Sequence, residues 1–198
     1  METLCGCIIQ KNFMKLFFLV AAFGLTLTSC DNSKPVDKVT MFNQFDFSYN
    51  DFFSTCFSIK FTQGDTVFIR QHWASAFSDS LKSNKNYRGI LSDPERERLD
   101  SFLTKMKFAT YDTSYYESYE DGHYYEFSIR KGTFQKTIFV HSDSIPKELK
   151  DFGYWIVATK KKMKLTEIDT TLDFGSLKNF LPASIPPQTI KFTPPKIE

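Results

Sequence analysis

The chain has 198 residues and a formal net charge of +2, and 17% of its residues are aromatic, with 22 Phe and 9 Tyr among them. This near balance of charge provides no basic surface for nucleic acid, so we expect no nucleic-acid partner. The length allows one domain after removal of an N-terminal leader, and the aromatic side chains supply the area for its core.

The N-terminal stretch has the composition of a secretory signal. Lys15 precedes an apolar run over residues 16–27, and small polar residues follow it. The run is shorter than the ~20 residues that a transmembrane helix needs, whereas signal peptides have apolar regions of this length. We therefore interpret residues 1–29 as a signal peptide, and Met14 as a candidate for the true start.

The end of that stretch carries a specific motif. Residues 27–30, LTSC, resemble the lipobox of bacterial lipoproteins, in which the cysteine is acylated and becomes the first mature residue. The resemblance implies lipidation of Cys30 and a protein anchored to a membrane of the bacterial cell envelope without spanning it. We expect the outer membrane, with the periplasmic and the surface face both left open. The alternative is an ordinary signal peptide that happens to end near a cysteine.

Residues 30–40 are polar and include a proline, so we expect a tether between the lipid and a domain over residues 41–175. After lipidation of Cys30, Cys56 is the only cysteine left, which excludes an intramolecular disulfide. The domain must therefore be stabilised by packing.

Alternating apolar residues predict strands at 54–61 (STCFSIKF) and 66–73 (TVFIRQHW), joined as a hairpin by the turn QGD. YRGIL, at 87–91, is a further short strand candidate. The clearest helix lies within residues 92–108, where Asp93 can cap it. One apolar stripe follows at helical spacing, formed by Leu99, Phe102, Leu103 and Met106.

A second hairpin is predicted from HYYEFSIR and TFQKTIFV around Lys131-Gly132. With a two-residue turn, Ile129 would face Phe134 and Tyr125 would face Ile138. A second helix is predicted within 144–165, followed by a strand around 165–174.

Lys160 to Lys164, at the end of that second helix, is interpreted as a solvated helix terminus. Together these elements predict an α+β fold, with an antiparallel sheet built from two hairpins and two helices packed on one face. Residues 176–198 form a proline-rich tail.

The lipobox, the CFSIKF strand, the DPERERLDSFL helix and the DGHYYEFSI hairpin are similar to those of small bacterial lipoproteins that carry a domain of unknown function. Such a family implies no catalytic residues. The histidines His72, His123 and His141 lie on three predicted strands without metal-binding spacing, so we interpret them as surface or half-buried strand residues. No nucleophile motif or phosphate-binding loop is present, and we expect no cofactor, metal or catalytic set.

The segment 111–127, YDTSYYESYEDGHYYEF, combines many tyrosines with acidic residues. Tyrosine is common at interfaces, but it is also a favoured strand residue that can complete a core. If Tyr125 faces the core, Tyr124 must point the other way. The candidate binding surface therefore comprises Tyr115, Tyr116, Tyr119 and Tyr124.

We expect a non-enzymatic binding or assembly module whose partner is an envelope protein or a glycan. The alternative is a hydrolase of envelope glycans or peptides, which would use carboxylates brought together by folding. The candidate carboxylates are Glu117, Glu120, Asp121 and Glu126.

Overall fold

The structure, a computed structural model, describes residues 41–75, 79–118, 122–177 and 180. Within these residues, eight strands form one sheet that is combined with two α-helices in an α+β arrangement. The strands are β1 (Gln44–Asp51), β2 (Thr55–Phe61), β3 (Thr66–Ala74), β4 (Lys85–Ile90), β5 (Ser114–Tyr116), β6 (His123–Lys131), β7 (Phe134–His141) and β8 (Thr166–Ile168). The helices are α1 (Asp93–Lys105) and α2 (Lys147–Lys162). None of the helices described here has the length and apolar character needed to cross a bilayer.

The strands lie in the order β5-β7-β6-β1-β2-β3-β4-β8. All neighbours are antiparallel except β5 and β7, which are parallel. The prediction of an antiparallel sheet made from two hairpins is therefore wrong in two respects. The hairpins β2–β3 and β6–β7 do not pair directly, because β1 lies between them. The chain also reverses twice between β5 and β7, so that β5 runs parallel to the strand on which it lies.

Strand β1 was not predicted, although it alternates as a half-buried strand should. Phe45, Phe47 and Tyr49 pair with inward-facing residues of β2 and β6, whereas Asp46 and Ser48 point to the opposite face. At the other end of the chain, β8 occupies only the start of the strand predicted around 165–174. The sheet therefore has more strands than the sequence pattern indicated, and β1, the first strand in the chain, lies in the middle of it.

The hairpin β6–β7 has a different register from the predicted one. Lys131 pairs with Phe134, so the turn consists of residues 132 and 133, and Gly132 has a φ of 59°. Without a side chain, glycine adopts this left-handed conformation at little cost. Moving the turn by one residue shifts every pair by two, so that Ile129 faces Lys136 and Tyr125 faces Val140. The predicted pairs Ile129–Phe134 and Tyr125–Ile138 are wrong for this reason.

One face of the sheet forms the main core with both helices. Phe152 of α2 lies in its middle, with its ring centroid 5.3 Å from that of Phe45, 5.6 Å from that of Phe127 and 4.7 Å from that of Phe102 of α1. The next residue, Gly153, allows the close approach, because a Cβ there would lie 3.3 Å from the ring of Tyr125. The two helices therefore pack on the same apolar core.

Helix α1 begins after Ser92, and not with Asp93 as its cap. The Glu95 carboxylate accepts hydrogen bonds from the Ser92 backbone N–H and hydroxyl, each 2.8 Å long. The Arg96 guanidinium donates to the backbone oxygens of Thr62, at 3.0 Å, and Gly64, at 2.6 Å. These bonds hold the start of the helix against the turn between β2 and β3.

The expectation of a solvated lysine cluster at the end of α2 is confirmed for Lys161, Lys162 and Lys164, which are exposed, but is wrong for Lys160. Lys160 is only 4% exposed, and its ammonium donates a hydrogen bond to Asp79 Oδ2. The same carboxylate oxygen accepts the hydroxyl of Thr55 at 3.0 Å, and the lysine nitrogen lies 4.9 Å from the ring centre of Phe57. Burial lowers the pKa of Lys160, and the hydrogen bond to Asp79 opposes that shift. Lys160 therefore joins the end of α2 to the loop that follows β3.

Replacing Phe152 by Ala should lower the free energy of unfolding by about 3–5 kcal/mol, because the rings around it are held by the sheet and by α1 and cannot fill the cavity. Tyr154 on the same helix is 44% exposed, so Tyr154→Ala is the matched control and should change stability by less than ~1 kcal/mol. Urea unfolding followed by circular dichroism measures both. Equal losses in the two variants would contradict the central place of Phe152.

Candidate functional site

Exposed aromatic residues gather at one end of the sheet. Phe52 and Phe53 lie in the turn between β1 and β2, where they are 39% and 72% exposed. Asp51 shapes this turn, because its carboxylate accepts the Phe53 N–H at 3.1 Å and the Ser54 hydroxyl at 2.5 Å. The turn therefore presents two adjacent phenylalanines to solvent on a hydrogen-bonded frame.

Tyr124 of β6 connects this turn to the far edge of the sheet. Its ring centroid lies 5.4 Å from that of Phe52 and 6.2 Å from that of His141 of β7. His141 in turn lies 5.5 Å from Tyr116 of β5, which is 66% exposed. We call these residues, Phe52, Phe53, Tyr116, Tyr124 and His141, the aromatic patch. It crosses the sheet from the β1–β2 turn to the edge strand.

The orientation of Tyr124 is fixed by a hydrogen bond from the side chain of Asn50, whose Nδ2 donates to the tyrosine oxygen at 2.6 Å. Burial raises the pKa of Tyr124, so its hydroxyl stays neutral in the physiological range. Tyr124 is half-buried, with its ring centroid also 5.0 Å from that of Phe180. The patch therefore offers mainly the exposed rings of Phe52, Phe53 and Tyr116, which suit binding to apolar groups, peptide or sugar rings.

The four tyrosines predicted as a surface have different positions. Tyr116 and Tyr124 belong to the aromatic patch, while Tyr115 is half-buried against the main core and its hydroxyl oxygen accepts the Asp112 N–H at 3.0 Å. Tyr119 lies outside the described residues. Phe52 and Phe53 were missed, although two adjacent phenylalanines in a polar turn are unusual enough to have indicated them.

The candidate carboxylates occupy unlike surroundings. Glu126 is fully buried on the face of the sheet opposite the helices, whereas Glu117 is exposed and accepts the backbone N–H of Asp143 at 3.1 Å. Glu120 and Asp121 lie outside the described residues. Glu117 and Glu126 therefore do not face one open cleft.

The opposite face of the sheet carries a second set of polar residues, which we call the polar face. They are all buried and come from the three central strands: Asp46, Ser48, Asn50, Ser58, Glu126 and Ser128. Residues 173–177, which we call the strap, cover part of this face. Ser48 Oγ lies 2.6 Å from Ser58 Oγ and 2.8 Å from Ser176 Oγ of the strap.

The three histidines lie apart in environment. His72 Nε2 is 2.9 Å from Ser58 Oγ, and His123 stacks on Tyr125 on the helix face. Over the described parts of the chain, no three Cys, His, Asp or Glu residues converge as metal ligands.

Comparison with protein families, curated proteins and solved structures finds no match to this chain.

The stability of the protein should fall as the pH is lowered from about 6.5 to about 4. Burial, with a smaller effect of Arg70, lowers the pKa of His72 from 6.5 to about 4, so over this range the unfolded chain binds a proton that the folded chain does not. His72→Gln keeps a polar partner for Ser58 and should flatten this dependence. Urea unfolding at a series of pH values measures it. The same slope in both proteins would show that His72 is not the group responsible.

Proposed function

We propose that the chain is a lipid-anchored binding or assembly module of the bacterial cell envelope, which contacts an envelope protein or glycan through the aromatic patch. The observation that carries this proposal is the exposure of Phe53 and Tyr116, at 72% and 66%. Phe53 lies next to Phe52, and ring contacts lead from Phe52 through Tyr124 and His141 to Tyr116. Single exposed aromatic residues are common, but several exposed rings gathered on one surface are typical of a recognition site.

The aromatic patch is also held in a fixed conformation, which favours binding. Its rings stand on paired strands and on a turn held by Asp51, and Tyr124 is oriented by Asn50. Aromatic side chains lose little rotational freedom when they bind, and a rigid frame lowers that loss further. Truncating such anchors typically lowers affinity by tenfold or more.

The anchor is proposed from the sequence motif at Cys30. An acylated N-terminal cysteine would hold the protein at the outer membrane, because each buried CH₂ of an acyl chain contributes about 0.8 kcal/mol. The polar residues 31–40 would then separate the domain from the lipid. A binding module that is anchored by its lipid needs no apolar surface of its own to stay at the membrane.

The alternative function, a hydrolase of envelope glycans or peptides, has less support. Asp46 and Glu126 lie on the neighbouring strands β1 and β6, but both are fully buried. A glycosidase needs two carboxylates on either side of a bond in its substrate, with room for the sugar between them. Activity of the purified protein on envelope glycans, lost in Glu126→Gln, would favour this alternative.

Replacing Cys30 by Ala should move the protein from the membrane fraction to the soluble fraction, or stop its processing at the signal peptide. The reason is that the thiol is the site of acylation in the proposed anchor. Fractionation and mass spectrometry of the N-terminal peptide measure both effects, and Cys56→Ala is the matched control. Unchanged membrane fractionation of Cys30→Ala would contradict lipid anchoring.

A photoreactive residue in place of Phe53 should crosslink an envelope component in intact cells, and one in place of Tyr154 should not, because Tyr154 lies on a helix at the other face. Tyr116→Ala should reduce crosslinking from position 53 about tenfold, the effect of truncating one anchor. It should leave the melting temperature nearly unchanged. A large loss of thermal stability without a change in crosslinking would show that Tyr116 is structural.

A further inference from the structure

The two faces of the sheet are built in opposite ways. The face under the helices is apolar, whereas the polar face is equally inaccessible but carries serines, an amide and carboxylates beside a small apolar cluster of Cys56, Trp73 and Phe180. Burying polar groups costs free energy unless each is hydrogen-bonded, so a face that is always covered is most cheaply made apolar. Polar residues are what a face requires when it also meets water or a polar ligand. The composition of the polar face therefore indicates that its cover is exchangeable.

The strap is held on this face by two hydrogen bonds and by apolar packing, in which Phe174 is buried and Leu177 packs against a small cluster of apolar residues. Its Gly175 N–H donates to Asp46 Oδ2 at 2.5 Å, and the Ser176 hydroxyl contacts that of Ser48. The Phe174 ring is buried beside them, with the ammonium of Lys60 5.5 Å from its centre. An aromatic ring, a backbone N–H and a hydroxyl are thus the groups by which the polar face holds a peptide.

The polar face has more acceptors than the strap has donors. Asp46 and Asn50 are both fully buried, and among the described residues neither Asp46 Oδ1 nor Asn50 Oδ1 has a hydrogen-bond donor. Buried polar atoms in proteins are almost always paired. The strap is therefore an imperfect occupant, which leaves acceptors available to a ligand with further N–H or O–H groups.

The middle position of the strap admits no side chain. A Cβ on Gly175 would lie 2.8 Å from Ser128 Oγ and 3.1 Å from Gln44 Nε2. A peptide that takes this place must therefore carry glycine there, with an aromatic residue before it and a hydroxyl residue after it.

We propose that the polar face is a peptide-binding site, which the strap occupies within the chain and which a partner segment with the sequence aromatic-Gly-Ser can occupy in its place. Asp46 accepts the glycine N–H, Ser48 pairs with the hydroxyl, and Asn50 offers a further acceptor. The site does not rest on the function proposed for the aromatic patch, and its failure leaves that proposal unchanged.

The probe for this site is a fluorescent peptide, LDFGSL, with the sequence of residues 172–177. It is added to the full mature chain and to the variant Gly175→Val, in which the new side chain expels the strap. Fluorescence anisotropy should show binding at least tenfold tighter to Gly175→Val than to the wild type, because the wild-type strap competes. The control peptide LDFVSL should not bind.

The double variant Gly175→Val/Asp46→Leu should lose the peptide, since the acceptor of the glycine N–H is gone. Binding that persists in this variant, or that is equal for the two peptides, would overturn the proposal. So would a Gly175→Val protein that keeps its circular dichroism spectrum and binds neither peptide.

If Gly175→Val does not fold, hydrogen exchange of the wild-type chain tests whether a peptide can displace the strap. Excess LDFGSL should speed exchange of the Gly175 and Leu177 amides several-fold as the strap is displaced, and leave β1 unchanged. Exchange at the strap that does not respond to the peptide would show that the strap is a fixed part of the fold, and the proposal would be wrong.

Discussion

Strand β1 is hydrogen-bonded on both sides, to β2 along one edge and to β6 along the other, and the remaining strands reach the sheet only through these two. Its aromatic and polar residues alternate, so β1 places apolar side chains at the centre of one face of the sheet and polar side chains at the centre of the other. Phe45 and Phe47 start the core that both helices cover, while Asp46 and Ser48 start the polar face. A one-residue shift of β1 against its neighbours would bury the carboxylate among phenylalanines and place the rings among the polar side chains of the opposite face.

Much of this fold could be read from periodicity, and the rest depends on contacts between distant residues. Strands β2, β3, β6 and β7 and both helices have enough residues to show a period of two or of 3.6. Strand β5 has three residues, which is too few for any period, and its parallel pairing with β7 follows from two chain reversals. Strand β1 did alternate, but its polar positions are buried beneath a cover that local sequence does not reveal.

The same limit applies to the site. Tyr116 and Tyr124 could be proposed because alternation along β6 places Tyr124 opposite the core-facing Tyr125. The phenylalanines of the β1–β2 turn join them only because β1 lies beside β6. The ion pair of Lys160 with Asp79 spans 81 residues, so a lysine in a basic cluster gave no sign that it would be buried.

The edge strands β5 and β8 have three residues each and cover only part of the longer strands β7 and β4 beside them. Among the described residues, each border of the sheet is therefore stepped, and the outermost strand does not run its full length. Long flat borders are where sheets of separate molecules join and aggregate. Where two copies meet, a stepped border offers only short stretches of backbone for pairing, so surface side chains have the larger part in deciding which encounters last.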